Sequence, residues 1–108
     1  MSHIAVIYRI KLHVNLSRKY QALWKEMVRY LKSQGAIGSA LHEAEDGTLV
    51  IYSRWPSYEI YQAAWPSEQE LASKLPPHMV DVAAAMKSCI KEVQDTQVLS
   101  VLEDQLLP

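Results

Sequence analysis

The chain contains no phenylalanine, only one cysteine and only three glycines in 108 residues. A single thiol, Cys89, closes no intrachain disulfide, and no signal-type segment precedes the first apolar stretch, so the sequence predicts a cytoplasmic protein. Three glycines leave no room for a phosphate-cradling loop. No apolar run approaches the ~18 residues that a membrane span requires. A formal net charge of −1 removes any electrostatic reason to expect nucleic acid or an anionic membrane as partner. The basic residues Arg18, Lys25, Arg29 and Lys32 fall on one side of a helical segment and read as a solvated face. His3, His13 and His42 lack metal-ligand spacing, so no metal site is expected.

The chain is nonetheless 49% hydrophobic, with six tyrosines and three tryptophans. That is enough apolar material for one domain over residues 1–108. "HIAVIYRIKL" (His3 to Leu12) reads as a strand with Ile4, Val6, Tyr8, Ile10 and Leu12 on one face. In "NLSRKYQALWKEMVRYLKSQG" the period becomes helical at Tyr20, Leu23, Trp24, Met27 and Leu31. Asn15 or Ser17 suits the N-cap and Gly35 a left-handed C-terminal cap. "AIGSALHEAEDGTLVIYSRW" reads as two strands turning at Asp46-Gly47, the second running from Thr48 to Trp55.

Pro56 and Ser57 then open a short helix to about Ala64, and Pro66 interrupts it. Ser67 with Glu70 matches a capping box for a second short helix. Pro76-Pro77 stops that helix and begins a third, whose apolar stripe is Met79, Val82, Ala83, Met86, Ile90 and Val93. "TQVLSVLED" is read as the last strand. The order β-α-β-β-α-β predicts an α+β, ferredoxin-like antiparallel sheet with helices on one face. The strands "IAVIY", "LVIY" and "VLSVL" carry apolar residues at both parities, so the second face also needs cover. A second copy of the chain supplies it most simply, predicting a homodimer; the C-terminal "EDQLLP" folding back is the alternative.

Gly35 to Gly38 ahead of the second strand, Tyr52-Ser53-Arg54-Trp55 at the end of the third, and Ser57-Tyr58-Glu59-Ile60 at the following helix start together resemble the antibiotic biosynthesis monooxygenase family. The resemblance covers nearly the whole chain in element order. It implies a dimeric α+β barrel and an oxygenase that needs no cofactor, acting on an aromatic or polycyclic molecule such as a quinol or polyketide-like phenol. It also assigns catalytic candidates, Trp65 and His78. Three positions depart from the family pattern: Ser53 stands where the strand end carries Glu, the His often found on the following helix is replaced near Trp65, and Tyr8 stands where the haem-degrading branch carries Asn. The last departure argues against haem degradation, and the missing Glu and His leave room for a non-catalytic ligand-binding or dimerisation module of the same fold.

Candidate site residues divide by setting. Tyr8, Tyr52 and Trp65 combine an apolar ring with a polar tip, as a pocket for an aromatic ligand requires, and a plain core explains them equally well. Tyr61 and Trp65 lie four apart and share a helix face. Trp24, Tyr30 and Tyr58 are accounted for by helix periodicity alone. Arg54 and Arg9 interrupt apolar strands. Each either anchors a ligand oxygen or pairs with an acid such as Glu43. His78 opens a helix, where it is either a neutral base or a surface residue. Cys89, beside Met86 and Ile90, reads as packing.

Overall fold

A computed structural model describes residues 3–65, 70 and 73–105. The strands and helices, in chain order, are β1 (Ile4–Leu12), α1 (Ser17–Ser33), β2 (Gly38–Glu43), β3 (Leu49–Trp55), α2 (Tyr58–Ala64), α3 (Pro77–Cys89) and β4 (Ile90–Ser100). The four strands form one sheet in the order β2-β3-β1-β4. Every neighbouring pair is antiparallel. This is the ferredoxin-like α+β arrangement. Pro66 and the Ser67 end of the expected capping box lie outside the described residues.

Register decides which residues face the helices. Ile4 pairs with Trp55, Val6 with Ser53, Tyr8 with Ile51 and Ile10 with Leu49. Side chains alternate along a strand, so this set shares one face, and Ile4, Val6, Ile10, Leu49 and Trp55 on it are buried. Ala5, Ile7 and Arg9, opposite Arg54, Tyr52 and Val50, point the other way. The helices α1 and α3 pack on each other through a core of Met27, Leu75, Met79 and Val82.

The turns follow from local chemistry. At the end of α1, Gly35 takes φ 112°, a conformation L-residues avoid. Its N–H donates to the Lys32 carbonyl at 3.2 Å and the Ala36 N–H to the Leu31 carbonyl at 3.0 Å. These two bonds make a Schellman cap and satisfy carbonyls that the helix end leaves open. A Cβ on Gly35 would stand 2.8 Å from Cγ2 of Ile60. Between β2 and β3, Gly47 has φ 88° and Asp46 Oδ1 accepts from the Thr48 N–H at 2.9 Å. At α2, which opens where Pro56 and Ser57 predict a helix start, the Ser57 hydroxyl caps it by accepting from the Ile60 N–H at 3.2 Å.

Three expectations are corrected. The cap position of α1 is Leu16, without a side-chain hydrogen bond. Asn15 instead makes the preceding turn at φ 66°, a conformation Asn tolerates, and the Ser17 hydroxyl accepts from Gln21. Ile90 and Val93 are not helical: the third helix stops at Cys89 and β4 begins at Ile90. The final strand accordingly runs Ile90–Ser100 and not through Asp104. The cause is a pair of irregularities in the β1–β4 ladder, between Arg9 and Ile10 and between Lys11 and Leu12. Leu12, Ile10, Tyr8 and Val6 step by two, while their partners Ile90, Val93, Thr96 and Val98 step by three, three and two. Each extra residue in β4 is a β-bulge, and the stretched spacing imitates a helical stripe.

Candidate functional site

Between the helix-facing side of the sheet and the helices lies an inner cavity of about 280 Å³. Its floor is Val6 and Tyr8 of β1 with Ile51, Ser53 and Trp55 of β3; α1 contributes Tyr20, Trp24 and Met27. Tyr61 of α2 and Trp65 just beyond that helix close one side. All three tryptophans of the chain therefore stand in one wall system. An adjoining cavity of about 560 Å³ opens between α3 and β4 and shares Tyr8, Tyr20, Trp65 and Met86 with the first.

The rings are held in place by contacts with one another and with nearby hydroxyls. Trp55 is 1% exposed and packs edge-on against Tyr61, with centroids 5.3 Å apart and planes at 64°, the geometry that the ring quadrupoles favour. Its indole N–H donates to the Ser53 hydroxyl at 3.1 Å. Tyr58 supports Tyr61 from outside at 6.1 Å. The Ser39 hydroxyl on β2, also in the wall, donates to the Tyr52 carbonyl at 2.8 Å. Thr96 of β4 adds a further hydroxyl.

Burial is the main influence on the phenols. It pushes the Tyr8 hydroxyl above its usual pKa, with the neighbouring Tyr61 adding to the rise. Burial likewise raises Tyr61, helped by Tyr58, and raises Tyr20 strongly, helped by Tyr8 and Cys89. These phenols are neutral at physiological pH, the form in which a hydroxyl can both donate and accept a hydrogen bond.

Of the residues singled out from the sequence, the structure brings Tyr8, Tyr61 and Trp65 together around the cavity. Tyr52 and Arg54 stand on the opposite face of the sheet. There Arg54 Nη1 donates to Asp104 Oδ2 at 2.7 Å and to the Tyr52 hydroxyl at 3.3 Å, and its Nη2 lies 3.1 Å from His3 Nδ1. Arg9 pairs with Asp95 at 3.1 Å. Both arginines thus pair with acids on the C-terminal segment and not with Glu43. His78 is outside the cavity: its side chain is 74% exposed and Nε2 is 2.9 Å from Glu26 Oε2. Cys89 is fully buried, as packing requires.

Sequence reasoning missed Tyr20, Trp24, Ser39, Ser53 and Thr96. Periodicity explained Tyr20 and Trp24 as core, and a helix residue that faces a core cannot be told by spacing from one that faces a cavity. The small hydroxyls had a detectable signal: Ser39 and Ser53 are polar residues at inward parity, directly paired across β2 and β3.

No protein-family model matches the chain, and no curated protein does. Solved structures do. SnoaB of Streptomyces nogalater, a cofactor-independent oxygenase, superposes with a TM-score of 0.75 at 11% identity over 99% of this chain and 100% of its own. A Chloroflexus aurantiacus protein, provisionally described as an antibiotic biosynthesis monooxygenase, gives 0.74 at 14% over 95% and 96%. Rv0793 of Mycobacterium tuberculosis gives 0.69 at 23% over 96% and 99%. The chain has the fold of antibiotic biosynthesis monooxygenase-like structures, over essentially their full length.

Proposed function

We propose that the inner cavity binds an aromatic or polycyclic small molecule of quinol or polyketide-like type, and that the chain acts on it as a cofactor-independent monooxygenase. The observation that carries this reading is the cavity itself: an apolar, aromatic-walled space of about 280 Å³ with hydroxyls at Tyr8, Tyr61, Ser39, Ser53 and Thr96. Apolar walls with a few placed polar groups are what bind and orient such a molecule. An electron-rich ligand supplies the electrons for dioxygen itself. For a methylene between two rings, one oxygen atom becomes the new carbonyl oxygen and the other leaves as water with the two methylene hydrogens. The protein's part is to exclude water, hold the reacting carbon towards dioxygen, and donate hydrogen bonds to the ligand's oxygens.

A second reading, a ligand-binding module without catalysis, draws support from His78, which stands outside the cavity and cannot serve as its base. Oxygen uptake separates the two. Anthrone and 1,4-naphthohydroquinone are expected to consume dioxygen faster with the protein than without it, and the enhancement should fall in Trp65→Phe. Binding without protein-dependent uptake across such a panel would favour the second reading. Haem, tested separately, is expected to remain undegraded.

We also propose a homodimer in which the sheet faces opposite the helices meet. That face carries Ala5, Ile7, Ala40, Val50, Tyr52 and Leu99 by register, and Leu99 is 42% exposed. A second copy presents the same apolar face and is its natural complement.

A further inference from the structure

Two serines in the wall of the inner cavity have their hydrogen-bonding roles fixed by their partners. Ser39 of β2 and Ser53 of β3 stand directly opposite each other, and cross-strand neighbours carry their Cβ atoms about 4.5–5.5 Å apart. Both line the cavity. The Ser39 hydroxyl gives its proton to the Tyr52 carbonyl at 2.8 Å. A carbonyl only accepts, so Ser39 keeps lone pairs and no proton for a ligand. Ser53 is the reverse. Its oxygen accepts from the Trp55 indole N–H at 3.1 Å, and an indole only donates, so the Ser53 proton is still to give. The indole bond also polarises that hydroxyl towards donation, as one hydrogen bond strengthens the next in a chain. The wall thus presents a donor beside an acceptor, with Trp55 setting the first and the β3 backbone the second.

We propose that this serine pair recognises a singly ionised aromatic diol: Ser53 donates to the ring oxygen that has lost its proton, and Ser39 accepts from the hydroxyl that has kept one. This rests on the reading of the cavity as a ligand site and deepens it, because it names the oxygens the site takes and their protonation. A hydrogen bond to an anion is stronger than one to a neutral oxygen, so Ser53 offsets part of the desolvation that the anion meets between apolar walls. The same form suits the proposed reaction, since an ionised quinol gives an electron to dioxygen more readily than a neutral one. The titratable groups lining the cavity, among the described residues, are Tyr8 of β1, Tyr20 of α1 and Tyr61 of α2; Lys87 of α3 with Lys91 and Glu92 of β4 line the adjoining cavity. Burial raises all three phenols above the usual tyrosine value of about 10. They keep their protons between about pH 6 and about pH 9, where the ligand ionises.

Three coumarins test the pair under nitrogen. Binding is read by quenching of tryptophan fluorescence, since every tryptophan of the chain lines the cavity. 6,7-Dihydroxycoumarin ionises near neutrality and keeps its second hydroxyl, 7-hydroxy-6-methoxycoumarin ionises and has no second proton, and 7-methoxycoumarin has no acidic proton at all. At about pH 9, 6,7-dihydroxycoumarin should absorb as the anion when bound. Ser53→Ala is expected to weaken that binding at least about tenfold more than it weakens 7-methoxycoumarin binding, and Ser53→Thr, which keeps a hydroxyl, to restore it. Ser39→Ala should weaken 6,7-dihydroxycoumarin at least about threefold more than 7-hydroxy-6-methoxycoumarin. If the wild-type protein takes 6,7-dihydroxycoumarin only in its neutral form, or if either alanine variant weakens the two ligands compared for it equally, the serine pair is overturned while the ligand site stands. The wild-type absorption decides the matter even where Ser53→Ala fails to fold. If none of the three coumarins binds, the ligand site falls and this inference with it.

Discussion

Trp55 and Trp65 stand ten residues apart in the same cavity wall with different tasks. Trp55 is enclosed on β3 and hydrogen-bonded to Ser53; Trp65 sits past the end of α2, partly exposed. Trp55→Ala is expected to cost about 3–5 kcal/mol in chemical denaturation, as loss of a buried ring does. Trp65→Phe is expected to cost less than about 1.5 kcal/mol and yet to weaken 7-methoxycoumarin binding. Unchanged affinity would make Trp65 core and not wall. The phenols add a pH dependence. Tyr8, Tyr20 and Tyr61 have folded-state pKa values above their unfolded ones, so the folded state holds their protons more tightly. Their contribution to stability is complete below about pH 10 and is lost as pH rises through the folded values. The urea midpoint should fall as pH rises above about 10, and fall less in Tyr61→Phe. At this scale the sequence distinguished rings worth asking about, but not their company. Tyr8, Tyr61 and Trp65 meet, whereas Tyr52 and Arg54 are turned away by the alternation of β3 that puts Ser53 and Trp55 inside.

Elements were legible at three places where local chemistry decides them, and not at the start of α1, where Leu16 and neither Asn15 nor Ser17 takes the cap position. The Schellman cap at Gly35, the Asp46-Gly47 turn and the Ser57 cap each follow from a residue whose own conformation or hydroxyl makes the feature. Gly35→Ala is expected to destabilise the fold by about 1–3 kcal/mol, because φ stays positive whether or not Ile60 moves aside. A midpoint equal to wild type would show that the cap relaxes. The start of β4 was not legible, for a reason that is not local. Its bulges matter only against β1, and without β1 the spacing Ile90, Val93, Thr96 is indistinguishable from a continued helix. Partner strands, not propensity, make Ile90–Asp95 extended.

The whole molecule is a two-faced sheet, with the cavity on the helix side and an apolar face with two arginine–aspartate pairs on the other. The order of elements and the apolar residues at both parities made that division readable before any coordinates. The cavity was not readable, because its volume depends on how far α1 and α2 stand off the sheet. The proposed dimer predicts that sedimentation at micromolar concentration shows a species twice the 12.3 kDa chain. Ile7→Lys should dissociate or unfold it, since an unpaired charge in a dry interface costs about 3–5 kcal/mol. A single 12.3 kDa species for the unaltered chain would leave the outer face without its proposed cover.

The central claim is that an aromatic molecule binds between the sheet and the helices. The most direct measurement is a heteronuclear NMR titration with 7-methoxycoumarin that follows the indole N–H signals of Trp24, Trp55 and Trp65 alongside the backbone signals of Ile7 and Val50. All three indole signals should shift saturably while Ile7 and Val50 hold their places. Indole signals that stay fixed, or shifts concentrated at Ile7 and Val50 on the opposite face, would contradict it.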